Sequence, residues 1–279
     1  MGLMLSTLAL FLILLATGGF IVFVIKQEKS VYLWSYRILL AGFAVLTLQL
    51  AHGYSVLGAA PVLSFKTALS FFAWTILGAY LLLHLKFRLM VLGSFISPLA
   101  AFLMIISSTL PAREVVVKPV FKSVWLSMHV LTTVMGDGMF AVAFMAAIMY
   151  LIQENQIKRK RFGSLYRRLP SLQTLDSINH YSLLYGFALL TVGMMTGAFF
   201  AQVALGSYWR WDPKEVWSLI TWLFYAVLLH ERLAVGWRGR RAAILSILAF
   251  LVLLFTFLGI GLWMSDYHSF RSLGGQPGL

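Results

Sequence analysis

Residues 3–25 read LMLSTLALFLILLATGGFIVFVI, a run without a single charged side chain. A bilayer core is crossed by a helix of about 20 apolar residues. Backbone inside it has to satisfy its own hydrogen bonds, so this stretch predicts a membrane-spanning helix. It has no basic leading region and is too long for the apolar core of a cleaved signal, so it is expected to be retained. Working outward, similar runs occupy roughly 37–58, 67–85, 89–107, 124–152, 181–205, 215–232 and 242–264. The expectation is an all-α polytopic bundle of about eight transmembrane helices. A composition of 61% hydrophobic and 11% charged residues, with a mean hydropathy of +0.87, excludes an ordinary soluble domain.

Charge orients such a bundle, because Lys and Arg are retained on the cytoplasmic side. One set of loops and helix ends carries Lys26, Lys29, Arg37, Lys86, Arg88, Lys158, Arg159, Lys160, Arg161, Arg167, Arg168, Arg232, Arg238, Arg240 and Arg241, 15 of the 22 bases. The other carries Lys66, Arg113, Lys118, Lys122, Arg210, Lys214 and Arg271. That division predicts both termini outside. A net charge of +13 also suits nucleic acid, but the inside bias accounts for it, so no nucleic-acid partner is expected. The inner connection 153–180 holds a basic run suited to anionic lipid head groups or serving only as a topology anchor.

The chain has no cysteine. Thiol exchange, thiolate-held iron–sulfur clusters and self-attached haem are therefore excluded. No internal repeat or large hydrophilic insertion divides the chain, so residues 1–279 read as one membrane domain. Residues 108–123, with Pro111 and Pro119, form an outer loop, and 265–279 an outer tail ending in Gly274, Gly275, Pro277 and Gly278.

The chemistry concentrates at 206–230, where Trp209, Trp211, Trp217 and Trp222 stand among Arg210, Asp212, Lys214 and Glu215. Asp212, Pro213 and Glu215 predict a helix start, with Asp at the N-cap, Pro at the first helical position and Glu completing a capping box. Trp209 and Trp211 then precede the helix, while Trp217 and Trp222 lie in its outer half. Tryptophan also collects at membrane interfaces because its ring is amphipathic. Four indoles around two acids and two bases instead suggest an aromatic shelf whose charges orient the carboxylates of a large planar anion.

Trp209-Arg210-Trp211-Asp212-Pro213-Lys214-Glu215-Val216-Trp217, followed by Trp222, Tyr225 and Leu229-His230, resembles the tryptophan-rich WWD signature of the haem-handling superfamily. The Lys-Glu-x-Trp continuation is more similar to its CcsA (ResC) branch than to the CcmC or CcmF branches. Trp125-Leu126-Ser127-Met128-His129-Val130 and Ser265-Asp266-Tyr267-His268-Ser269-Phe270 resemble that family's outer histidines on either side of the motif. The resemblance implies non-covalent, substrate-like haem b. His129 and His268 would be outer axial ligands and His230 a ligand within the bilayer. The expected division is helices one to four over 1–123, a haem-handling core over 124–270 with the WWD segment at 206–217, and a flexible tail over 271–279.

On this resemblance the chain is the haem transport and presentation subunit of a system II cytochrome c synthase. It would lie in a bacterial inner membrane, or a thylakoid, with the WWD segment outside. Trp209, Trp211 and Trp217 would wall the macrocycle, Arg210 and Lys214 would meet its propionates, and Asp212 would brace the loop. No catalytic side chain is assigned within the haem lyase complex. A separate CcsB (ResB) subunit would supply the second ligand in the bilayer, and apocytochrome c the Cys-x-x-Cys-His thiols. His84 and His180 sit at a depth that allows a self-contained alternative. A HemX-like regulator of haem synthesis and a haem-free small-solute transporter are the rival functions.

Two features depart from the pattern. Ala60-Pro61-Val62-Leu63-Ser64 only weakly matches the family's second outer loop, and Asp137, in Gly136-Asp137-Gly138, is an acid expected near mid-membrane. An acid there is costly and functional by default. It would line a polar path or hydrogen-bond to a neighbouring helix.

Overall fold

The computed structural model describes residues 1–58, 64–87, 90–111, 119–160 and 162–259, all helix and connection with no strand among them. In chain order the helices are α1 (Gly2–Lys26), α2 (Lys29–Leu57), α3 (Phe65–Phe87), α4 (Gly93–Thr109), α5 (Val124–Lys158), α6 (Ser164–Arg168), α7 (Leu172–Leu205), α8 (Pro213–Leu233) and α9 (Arg240–Leu254). A π turn at Phe255–Gly259 continues α9. All but the short α6 coincide with the apolar runs. Six described helices, α1, α2, α3, α5, α7 and α9 with its continuation, are long and apolar enough to cross a membrane. α4 is shorter, and α8 carries charge at both ends. The chain is a polytopic helical membrane protein. The second outer-loop motif at 60–63 and the tail from 260 lie outside the described residues.

Several helices outrun their apolar stretches. α5 continues to Lys158 through Gln153, Glu154, Asn155 and Gln156, and α7 begins at Leu172, with Gln173, Thr174, Asp176 and Asn179 in its opening turns. The expected inner connection at 153–180 therefore shrinks to residues 159–171 around α6. Helix propagation adds one backbone hydrogen bond per residue fixed and does not stop at the edge of the hydrocarbon. Hydropathy marks the immersed part only.

α5 is the central element, packed on α3, α7 and α9, with α1, α2 and α4 forming a second group against α3. Small residues allow this. A Cβ on Gly136 would sit 2.9 Å from the Gly186 carbonyl oxygen of α7, and one on Gly138 would sit 2.7 Å from the Thr75 carbonyl carbon of α3. Without a hydrophobic force between helices in lipid, such close backbone approach drives association. Between α3 and α4 a buried Ser70–Ser107 hydroxyl bond of 2.8 Å adds a polar tie.

Contacts at the helix ends show consecutive long helices running antiparallel. The basic ends meet: Arg168 Nη2 donates to the Ile25 carbonyl at 2.9 Å, Arg240 Nη1 to Glu154 Oε2 at 2.8 Å, and Tyr32 Oη meets His84 Nε2 at 2.7 Å. At the other end Lys66 Nζ donates to the Leu110 carbonyl at 2.9 Å. The connection from α7 to α8 emerges at this second, less basic end.

Candidate functional site

α7 stops at Gly206, whose φ of 74° closes the helix as its N–H donates to the Gln202 carbonyl. A chiral residue would be strained there. Residues 207–212 then turn back into α8. Asp212 is the N-cap as expected, its Oδ1 accepting from the Lys214 N–H at 2.6 Å, and Pro213 opens the helix. The expected capping box takes another form. Glu215 Oε2 accepts from the Arg210 N–H at 2.8 Å, reaching past the N-cap into the loop. Ser207 Oγ donates to the Trp209 carbonyl at 2.8 Å. The loop is thus pinned from both sides.

The four tryptophans do not form one flat shelf. Trp209 and Trp211 meet edge to face, 5.9 Å apart at 86°. Trp211 is 75% exposed with φ at +60°, while the indole Nε1 of Trp209 is buried without a hydrogen-bond partner. Trp217 turns toward α9, 4.7 Å from Phe255, and lines an open apolar groove of about 500 Å³ with Phe224, Leu248 and Leu251. Trp222 turns the other way, donating to Thr191 Oγ1 at 2.9 Å and packing on Phe187 of α7. Two indoles therefore stay with the loop, one faces a lipid-side groove, and one helps fix α8 to α7.

His129 lies on α5 one turn below Trp125, which packs on Phe199 of α7; Phe199 in turn meets Tyr208 of the loop. The imidazole is half-buried over a notch in α7. Its Nδ1 is 2.7 Å from the Gly193 carbonyl, and a Cβ on Gly197 would fall 2.6 Å from that same nitrogen. A carbonyl only accepts, so Nδ1 carries the proton and Nε2 the lone pair. Gly193 and Gly197 escaped the sequence reading, although Gly193-Met194-Met195-Thr196-Gly197 is a small-xxx-small helix-packing signal.

The remaining histidines are dispersed. His230 is exposed on α8, opposite the face that buries Thr221, Tyr225, Leu228 and Arg232, in line with exposed Leu223. His84 stands among Tyr32, Tyr36 and Tyr80 at ring distances of 6.0, 4.9 and 5.7 Å. His180 packs beside Tyr181 at the basic end of α7. His268 lies outside the described residues. Sequence reading also missed a clamp at the basic end. Arg232, 7% exposed, donates to Asp176 Oδ2 at 3.0 Å and to Asn179 Oδ1 at 3.2 Å, while Asp176 Oδ1 accepts from the Gly239 N–H.

Asp137 is 6% exposed and lies one turn from Phe140 on α5. Tyr225 stacks on neighbouring Phe140 with centroids 3.5 Å apart, and its hydroxyl is buried without a partner. Lys214 is half-buried in the first turn of α8, its backbone N–H bonded to Asp212 Oδ1. It falls seven and eleven positions before Thr221 and Tyr225, hence on the same inward face.

Residues 62–268 match the cytochrome c assembly protein family. The chain is 31% identical over 266 residues to the cytochrome c biogenesis protein CcsA of Guillardia theta, covering 88% of each chain. It is 30% identical over 267 residues to CcsA of Prochlorococcus marinus strain MIT 9215, covering 88% of this chain and 86% of that one. Among solved structures it superposes on the cytochrome c haem lyase CcmF with a TM-score of 0.63 at 18% identity, covering 92% of this chain and 46% of that one, a likeness of fold. The CcsA resemblance read from the tryptophan segment is borne out, and this chain belongs to the cytochrome c assembly protein family.

Proposed function

We propose that the chain is the haem-handling subunit of a system II cytochrome c synthase. It takes haem b as cargo from the basic side of the membrane and holds it non-covalently at the tryptophan loop. There each thiol of an apocytochrome Cys-x-x-Cys-His motif adds across a haem vinyl C=C bond, a reaction that balances without an oxidant. Positive-inside bias puts the loop on the periplasmic or lumenal side of a bacterial inner or thylakoid membrane.

The observation that carries this reading is the setting of His129. Its Nδ1–H is held by the Gly193 carbonyl and its ring is seated over Gly197. A ligating imidazole characteristically donates its second ring N–H, which fixes tautomer and orientation. His129 and His268 are the proposed outer axial ligands. Trp209 and Trp211 wall the macrocycle from the loop and Trp217 from the α8–α9 groove. Arg210 and Lys214 face the propionates, with Asp212 and Glu215 as braces. His230, exposed on the outer face of α8, suits a ligand completed by a CcsB-type subunit rather than by His84 or His180, which are packed among this chain's own tyrosines.

The test is the absorption spectrum and pyridine haemochrome content of the purified protein, co-expressed with a CcsB-type partner. Wild type is compared with His129→Ala, His268→Ala and His230→Ala. Loss or altered ligation in the first two supports the outer site, and a separate loss with His230→Ala supports the bilayer site. Haem-free wild type under haem-replete conditions refutes the reading. Wild type that binds haem but does not support cytochrome c attachment favours the HemX-like regulatory role.

A further inference from the structure

α2 is tied to α3 at two levels. On the side of the less basic end Trp74 Nε1 donates to Thr47 Oγ1 at 2.8 Å, and at the basic end Tyr32 Oη meets His84 Nε2 at 2.7 Å. Between those levels a crevice of about 270 Å³ separates α2 from α5 across one face of α3. Phe43 and Trp74, stacked with centroids 5.6 Å apart, form one wall, Met135 and Met139 of α5 the other, and Gly78 and Leu82 of α3 the floor. Gly78 keeps the floor low: a Cβ there would meet Phe43 only at 3.5 Å, an ordinary contact. Leu82 is 55% exposed, so the crevice opens outward to the bilayer. Atoms lining an empty space forfeit their dispersion contacts on that side. A space open to lipid is filled by what the bilayer holds at that depth.

Toward the basic end this face of α3 finishes at Lys86, four residues beyond Leu82 and eight beyond Gly78, on the same helical stripe. A rise of 1.5 Å per residue puts it about 12 Å from Gly78 along the axis. Lys86 is exposed, and its ammonium stands 4.0 Å from the ring centroid of Tyr181 on α7. The acids of the described ion pairs at this end are taken, Glu154 by Lys158 and Arg240 and Asp176 by Arg232. Lys86 belongs to none of those pairs, so its charge faces the head-group level over an aromatic ring. Half of a hydrocarbon core of about 30 Å is roughly 15 Å deep. An acyl chain whose head group sits at Lys86 therefore passes Leu82 and enters the crevice. We propose that the crevice binds an anionic phospholipid of the leaflet at the basic end, its phosphate paired with Lys86 and one acyl chain lying over Leu82 and Gly78 between Phe43 and Met139. The chain completes the packing between α2 and α5 that the side chains leave open. One lysine at the membrane surface favours an anionic over a zwitterionic head group by about fivefold. No residue of the tryptophan loop lines the crevice, and its lipid is independent of the haem reading.

The experiment places the full chain in phosphatidylcholine nanodiscs and adds phosphatidylglycerol or phosphatidylcholine with brominated acyl chains, which quench an indole on contact. The Trp74 component is the difference between wild type and Trp74→Phe. Half-maximal quenching of that component is expected at about a fivefold lower mole fraction of the phosphatidylglycerol. The preference should vanish in Lys86→Gln. Gly78→Leu, whose side chain occupies the crevice, should abolish the Trp74 component for both lipids. Equal quenching by the two lipids in wild type, or a preference that survives Lys86→Gln, overturns the anionic site. Undiminished quenching in Gly78→Leu places the chain elsewhere and overturns the crevice. If Trp74→Phe does not fold, native mass spectrometry counts the phosphatidylglycerol retained by wild type, Lys86→Gln and Gly78→Leu; fewer bound lipids in both variants support the site, and the same count in all three is fatal. Loss of the Trp74 component on adding iron protoporphyrin IX or a CcsB-type subunit assigns the crevice to a porphyrin or a partner helix and overturns the lipid.

Discussion

Gly197→Ala tests whether the glycine notch positions His129. The new Cβ would lie 2.6 Å from Nδ1 and 2.8 Å from Cε1 of the imidazole, where ordinary contact begins at 3.4 Å. The ring must therefore move away from α7 by about 0.8 Å, the difference between 3.4 and 2.6 Å. Carried along the bond to Gly193, that displacement stretches the 2.7 Å Nδ1···O contact to about 3.5 Å, the edge of any hydrogen bond. Losing the bond costs about 0.5–1.5 kcal/mol of stability. Loss of the partner that orients a metal-binding imidazole costs roughly 10- to 100-fold in affinity. The assay is haem retained through purification and the ligation state in the absorption spectrum, with thermal unfolding alongside. Gly197→Val, which has to expel the ring altogether, should match His129→Ala. Wild-type haem content, spectrum and melting temperature in Gly197→Ala would refute the notch, whatever His129→Ala does.

Replacing Arg232 by Leu leaves the Asp176 and Asn179 oxygens without their buried partner. It should cost about 3–5 kcal/mol by thermal unfolding in detergent, much of it recovered in an Arg232→Leu/Asp176→Leu double variant. Gly138→Val drives a side chain into the Thr75 backbone 2.7 Å away, and overpacking of this kind should destabilise the α5–α3 contact by about 1–3 kcal/mol or more, seen as a lower melting temperature. Asp212→Ala removes the N-cap bond to Lys214 and should cost about 1 kcal/mol, localised as faster amide exchange in the first turn of α8. Trp211→Gly should raise stability by about 1 kcal/mol by relieving a positive φ while lowering haem retention and cytochrome attachment.

The helices were legible because the bilayer imposes a length and an apolarity on each run. What the runs could not give was where helices end, since α5 and α7 continue on polar residues whose backbone bonds cost nothing extra in water or head groups. At the site, Asp212 and Pro213 announced the start of α8 through local chemistry that is the same in any context. Glu215 was read correctly as reaching backwards but not as bonding Arg210, because its reach depends on the turn at Trp211. The direction of each indole was not legible at all. Trp217 and Trp222 are set by which neighbouring helix lies on each side of α8, information held by Phe255 and Thr191 far along the chain. The notch under His129 could have been anticipated from the Gly193 and Gly197 spacing, but only packing reveals that a histidine rather than another backbone fills it.

The conformation of Trp211 bears on what the loop is for. An interfacial tryptophan is stabilised by depth alone, and any backbone geometry that leaves the ring at the head-group level serves. Trp211 instead sits at φ +60°, a region that costs a chiral residue roughly 1–2 kcal/mol. The surroundings maintain that cost. Asp212 is committed to the Lys214 amide, Glu215 to the Arg210 amide and Ser207 to the Trp209 carbonyl, so the residues on both sides of Trp211 are fixed by bonds that a relaxed loop would not require. Strain of this kind persists only where the structure over-determines it, and it collects at ligand clamps. The same bonds that tilt Trp211 edge-on to Trp209 also set Lys214 in the first turn of α8, on the face that carries Thr221 and Tyr225. A belt residue gains nothing from that direction; an indole holding the planar ligand proposed for this loop would.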